Sequence, residues 1–395
     1  MSDVAVIRTH NSLVVPVVGL TLFAIASGFL MSLLPLSLGS FGLPATLAAY
    51  LASGFYAGML TGALFSSRVV GYLGHRHALT LFLGLLLLSV VSLVAWPQSG
   101  VWLTSRFVAG LASAGVYVVV ESWLLLVDDD RQRAKRLGLY MMALYGASAL
   151  GQLGIEQFGA VGSLPFMVIV ALLVVSMLPS ILSGHGTPQL ATQENISLSE
   201  LRYVSRTAVA GCLVSGLLLG PMYGLMPVYI YAQPALAEHT GVLMALVILG
   251  GMVVQPVTSY LSPRMSKSLL MALLCGVAMI AVIGVLSANH FWVIANSYLL
   301  LGACMFGLYP VAITQACQGQ DKERIVSITE LMLLCYGIGS VIGPLVAAQM
   351  MPFREAGLPY YLGLVLATTG LYMLLAALRA TKPISLDVDP PSEGR

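Results

Sequence analysis

The stretch GLASAGVY at residues 110–117 returns as GACMFGLY at residues 302–309, both glycines and the tyrosine in register after a shift of 192 residues. One glycine match means little in a chain with 40 glycines, so the test is whether the shift holds elsewhere. It carries Gly28 and Pro35 onto Gly220 and Pro227, Gly58 onto Gly250, and Gly151 onto Gly343. One offset shared by segments scattered along both halves reads as a duplication, a unit used twice in parallel.

The repeated segments are apolar. Of the 395 residues, 58% are hydrophobic and 9% charged, with a mean hydropathy of +0.92; a soluble domain is about a quarter charged. No aqueous surface can be built from this composition, so an integral membrane protein is expected. Runs of roughly 20 apolar residues mark spanning helices. Twelve are legible, at about 13–38, 45–66, 78–96, 101–127, 137–158, 163–183, 207–231, 240–262, 268–288, 291–317, 325–350 and 358–378. The expectation is an all-α membrane protein whose 12 transmembrane helices form two pseudo-symmetric six-helix bundles, residues 1–183 and 207–380. A polar linker (184–206) joins them and a disordered tail (381–395) follows. The first run is too long for a cleavable signal peptide and reads as a first span. Cys212, Cys275, Cys304, Cys317 and Cys335 lie in apolar runs without disulfide or metal spacing, so neither is expected.

Lysines and arginines orient the spans. With the N-terminus inside, sixteen of the 18 basic residues fall on the inner side, and the other two are Arg354, outside, and Arg106, within a span. Both termini are therefore expected in the cytoplasm, which suits an even number of spans.

Local motifs add a resemblance. RFVAG (106–110) in the fourth span resembles the RxxxG signature of the major facilitator superfamily (MFS). SRVVGYLGHR (67–76) sits where that superfamily carries a glycine-, aspartate- and arginine-rich loop. Here Ser67, Gly71 and Tyr72 depart from the pattern, while Gly74 and Arg76 keep it. VVVESWL with RLGLYMMALYGASALGQL (118–153), GCLVSGLLLGPMYGLMPVY (211–229), and LYPVAITQAC with YGIGSVIGP (308–344) are similar to the small bacterial YcaD-like group of MFS transporters. The resemblance implies a bacterial inner-membrane transporter working by alternating access, its solute site near the midplane between the halves and lined by the fourth helix.

At about 100° per residue, Arg106, Gly110, Ser113, Tyr117 and Glu121 form one stripe on the fourth span. Arg106 and Glu121 are separated by roughly 22 Å along the axis and do not pair. Ionisable residues at membrane depth face the bundle interior or a water-filled cavity, so the stripe is read as cavity-facing. Glu121 is the first candidate for a proton-coupling carboxylate, against the alternative of a structural acid bonded to a neighbouring helix. Arg106 either binds an anionic group of the solute or braces the helix ends. Tyr145, Gln152 and Glu156 share a face of the fifth span, Glu156 being a second proton-coupling candidate or a solvated rim acid. Tyr309 is the repeat partner of Tyr117, whereas Glu121 corresponds to Ile313, so the acid exists in one half only. Tyr223 in the seventh span is a further cavity candidate, beside Gly216, Gly220 and Pro227, which offer a flexible or unwound segment. Glu330 near the inner end of the eleventh span is paired with Arg68 and Arg76 as a cytoplasmic gate. GIGSVIGP (337–344) has the small-residue spacing of close helix packing.

A nucleotide loop, a metal cluster and a nucleophile beside a base are all missing from the sequence, so neither an enzyme nor a cofactor is expected. The basic residues are too scattered for nucleic acid. Three functions remain: a proton-coupled secondary transporter of a small organic solute, a multidrug or metabolite exporter working as a proton antiporter, and a transport-silent sensor or scaffold. The last would call for a soluble appendage or extended loop, which is missing. The partners expected are a small solute, protons and the lipid bilayer, with the chain acting as a monomer.

Overall fold

The computed structural model describes residues 14–125, 130–182, 204–351 and 356–380. The linker (184–206) falls almost wholly outside the described residues and the tail (381–395) entirely so. The described elements are helical: α1 (Val14–Ser37), α2 (Leu47–Ala95), α3 (Ser99–Leu125), α4 (Asp130–Met141), α5 (Ala147–Gln152), α6 (Gly154–Phe158), α7 (Leu164–Leu182), α8 (Arg206–Tyr231), α9 (Thr240–Leu261), α10 (Lys267–Ser287), α11 (Phe291–Cys317), α12 (Lys322–Met350) and α13 (Gly357–Ala380).

Ten of these segments are long and apolar enough to cross a membrane. The twelve runs are recovered once two differences from the sequence reading are accounted for. The second and third spans follow one another without a loop in α2, whose 49 residues are too many for one crossing of a hydrocarbon core of about 30 Å at about 1.5 Å per residue and form two helices joined at a break. The connection between them has no proline, so both flanks stay helical. The reversal falls on Gly74, at φ 74° and ψ 158°, a backbone that glycine alone adopts without strain. The fifth span is the opposite case. It is expected as one run over 137–158 but is broken into the end of α4, a π turn over Met142–Gly146, α5 and α6. The seventh span also differs from expectation: α8 runs unbroken through Pro221 and Pro227, so nothing there is unwound.

The duplication is visible in the packing. A Cβ on Gly28 would run into the backbone of Ser148, and one on Gly220 into that of Ser340. Gly58 lies against the carbonyl of Phe107 and Gly250 against that of Leu299; Gly110 meets Phe55 and Gly302 meets Val247; Gly151 meets Ile25 and Gly343 meets Leu217. Each second contact is the first displaced by 192 residues, glycine and partner together. The matched glycines are positions where helix backbones touch within each half, which is how apolar helices associate without a hydrophobic driving force between them. GIGSVIGP does the same work: Gly339 and Gly343 seat α12 on α8, meeting Leu213 and Leu217.

The two halves meet at one end, away from most lysines and arginines. There the Ser53 hydroxyl donates to the carbonyl of Val341 (2.7 Å), the Val242 amide donates to Glu156 Oε1 (3.0 Å), Gly224 packs on Ala52, and Gly241 on the carbonyl of Gln152. Toward the basic end, Glu121, Met141 and Leu333 are exposed. They stand one turn from Tyr117, Tyr145 and Tyr336 in α3, the fifth span and α12. The space between the halves is therefore closed at one end and open at the basic end.

Candidate functional site

The closed end holds a cavity of about 220 Å³, lined by both halves. α1 contributes Gly28 and Met31, α2 Phe55 and Tyr56, and α3 Tyr117. The fifth span supplies Tyr145 and Gln152, α8 Tyr223, α11 Phe306 and α12 Tyr336. The aromatic rings hold one another edge to face. Phe306 packs against Tyr145 (5.8 Å, 90°) and Tyr223 (5.9 Å, 79°), and Tyr117 against Phe23 (5.6 Å, 78°). Such pairs fix ring orientation at a distance where quadrupoles attract. Among the described residues, the hydroxyls of Tyr56, Tyr117, Tyr145 and Tyr223 make no hydrogen bond, so they face the cavity as free donors and acceptors.

The break in the fifth span lies where this lining is made. Tyr145 sits in the π turn and Gln152 is the last residue of α5. Irregular backbone at membrane depth is tolerated where it lines a cavity or is covered by protein. Gln152 is fully buried, its Oε1 accepts from the Ser32 hydroxyl in α1, and its Nε2 has no partner. Arg106 is also buried, 6% exposed. It lies in a recess beside the cavity, the two sharing Met31, Phe55, Tyr56 and Tyr223 as walls. Its guanidinium carbon stands 4.3 Å from the centroid of the Phe55 ring, and its Nε has no hydrogen-bond partner.

Of the cavity candidates named from sequence, Arg106, Tyr117, Tyr145, Gln152 and Tyr223 are brought together here. Tyr309 is one layer back, its ring 4.9 Å from that of Tyr336, which takes the lining position. Glu121 is outside the cavity, exposed at its open side and within electrostatic reach of Tyr140 in its own half and Tyr309 in the other. Glu156 is at the opposite end, 3.0 Å from the Val242 amide in the first turn of α9. It joins the halves where they are closed.

The gate trio does not assemble in this arrangement. Arg76 donates from Nε to the carbonyl of Ser180 and from Nη2 to that of Ile181, both at 2.5 Å. It thus satisfies orphan carbonyls in the last turn of α7, within its own half. Arg68 is exposed beside Phe65, 5.9 Å from its centroid, and Glu330 is half-buried in α12. The basic end is open, so nothing brings the three together.

Sequence reading missed Phe55, Tyr56, Phe306 and Tyr336. Aromatic residues are common in membrane segments, and the only local signal was the pair Phe55–Tyr56 ahead of the packing glycine Gly58. It also missed His75, buried at the reversal after Gly74. His75 shares a hydrogen bond between Nε2 and the Ser122 hydroxyl (3.0 Å) and packs on Trp123. The histidine ties the turn of α2 to α3 at the residues following Glu121.

A duplicated helical membrane fold enclosing a solute-sized cavity between its halves defines a membrane transporter. The sequence profile of the Major Facilitator Superfamily matches residues 17–344, and the chain belongs to that superfamily. It is 29% identical to the uncharacterized MFS-type transporter YcaD of Salmonella paratyphi B, over 91% of this chain and 94% of that one. Against the protein of the same description from Escherichia fergusonii it is also 29% identical, over 93% and 95%. Among solved structures, the fold is similar to the nucleoside transporter NupG (TM-score 0.72, 11% identity, 94% of this chain and 98% of that one). It is also similar to a POT family transporter in complex with 5-aminolevulinic acid (TM-score 0.73, 13% identity, 94% and 96%).

Proposed function

We propose that the protein is a secondary active transporter of a small organic solute across the bacterial inner membrane, working by alternating access and coupled to protons through Glu121. The observation that carries this reading is the aromatic cavity between the halves, shut at one end and open at the other. A solute entering from the basic end can be held against both halves, and rocking them about that contact would close the entry and open the far side.

Glu121 suits the coupling role by position. It is the acid of α3 on the face of Tyr117, at the open mouth, where water can deliver a proton in this state and where closure of the halves would bury it. Its charge would then differ in cost between the two states, which is what links proton movement to the conformational cycle. In proteoliposomes with an imposed pH gradient, Glu121→Gln is expected to lose gradient-driven accumulation while keeping solute exchange at equal pH. Full gradient-driven uptake by the variant would overturn the coupling role. An exporter of varied amphipathic cargo is the second reading, favoured by the aromatic lining. It predicts many weak hydrophobic ligands in a thermal-shift screen where a selective transporter gives one strong ligand class.

A further inference from the structure

We propose that the solute is a small organic anion, an arylalkyl or similarly flat apolar carboxylate, whose charged group is held by Arg106 with Gln152 as a second donor. The inference rests on the cavity being the solute site and goes beyond it by assigning the charge and shape of the solute.

One charge at the site is unbalanced. The residues lining the cavity and its recess include one cation, Arg106, and no carboxylate. Burial of a guanidinium costs several kcal/mol unless hydrogen bonds and an opposite charge compensate it. Arg106 has the face of Phe55, but its Nε has no acceptor. Guanidinium is the side chain best matched to a carboxylate, offering parallel N–H donors in a fixed plane. The recess beside it is about 20 Å³, room for roughly one water molecule or one carboxylate oxygen.

Gln152 makes an independent observation. Its carbonyl oxygen is engaged by Ser32, which leaves Nε2 as a fully buried donor without a partner in the cavity wall. An acceptor brought in by the solute would satisfy it. Both orphan groups of the site, Arg106 Nε and Gln152 Nε2, are donors, and neither suits an ammonium or another donor-rich solute.

Shape follows from volume and lining. An apolar cavity of about 150 Å³ holds one benzene molecule, so about 220 Å³ accommodates one ring and a short polar arm. The wall is made of ring faces and edges from Phe55, Tyr56, Tyr223 and Phe306, with tyrosine hydroxyls as adaptable partners. Glu121 does not serve as a counter-charge to a zwitterion. It lies roughly 22 Å from Arg106 along α3, several times the length of such a solute.

Binding to the purified full chain in nanodiscs tests this, with matched carboxylate, amide and amine triads: benzoate, phenylacetate and 3-phenylpropionate, each beside its amide and its primary amine. At least one carboxylate is expected to bind about tenfold or more tightly than its own amide and amine. Arg106→Gln is expected to remove that preference by weakening each carboxylate more than its amide, and Arg106→Lys to restore part of it. Gln152→Leu should weaken the carboxylate severalfold. The wild-type triads read the sign of the site without any variant, so a poorly folded variant does not decide the matter. A panel in which no carboxylate outranks its amide overturns the inference, as does a preference that survives Arg106→Gln. Failure of the transport reading looks different: carboxylate-selective binding would persist while proteoliposomes move none of the panel.

Discussion

At the scale of single residues, glycine in this protein is chosen by the carbonyl opposite it. Gly110 lies against Phe55 and Gly302 against Val247, and in each case a Cβ would overlap a backbone oxygen that cannot move without moving its helix. Gly110→Ala and Gly302→Ala are therefore expected to destabilise the chain by similar amounts, about 1–3 kcal/mol each, the usual cost of overpacking. Gly276→Ala in α10, where a Cβ meets nothing within 4 Å, should be neutral or slightly stabilising through helix propensity. Thermal unfolding of the three variants in one detergent checks the ranking. These contacts explain why the duplication was legible in sequence: a backbone clash permits no substitute, so glycines keep their register over 192 residues. The cavity wall was less legible for the opposite reason. Rings at Tyr56, Phe306 and Tyr336 meet a loose demand for aromatic surface that many membrane positions also meet, and nothing in their spacing singles them out.

At the scale of elements, the fifth span departs furthest from a plain crossing. A hydropathy run gives its length but not its breaks. The π turn at Met142–Gly146 and the stop at Gln152 carry no proline or polar run to announce them. What the breaks achieve is to aim Tyr145 and Gln152 into the cavity and to bring Glu156 onto α9. The Val242 amide that Glu156 accepts from is in the first helical turn, where amides lack intrahelical partners and the helix dipole favours an anion. The bond crosses between the halves, so it stabilises the closed end and with it the state open toward the basic side. Glu156→Ala is expected to loosen that closure. In a background without the five native cysteines, a cysteine at Ser53 should react several times faster with a membrane-impermeant maleimide applied from the closed side. The carboxylate is exposed, which keeps the expected effect modest. An unchanged rate would assign Glu156 no part in holding the closed end.

At the scale of the whole molecule, the proposed solute-binding and proton-coupling charges are separated by distance. Arg106 lies in the recess beside the closed end of the cavity and Glu121 is exposed toward the basic end, on one face of one helix. If Arg106 holds a monoanion and Glu121 carries one proton in the same direction, the translocated charges cancel. The driving force is then the pH gradient alone. One pH unit is worth about 1.4 kcal/mol, a tenfold accumulation at one proton per anion, whereas a membrane potential of 100 mV, worth about 2.3 kcal/mol per net charge, contributes nothing. Uptake into proteoliposomes is therefore expected to approach tenfold accumulation per pH unit and to be indifferent to a potassium diffusion potential set with valinomycin. In Glu121→Gln the anion would move without its proton, so accumulation should no longer follow the pH gradient and should instead be opposed by an inside-negative potential. Potential-dependent uptake by the wild type would require a second proton site. Two further described acids, Glu156 at the closed end and Glu330 toward the basic end of α12, would then be the positions to neutralise next.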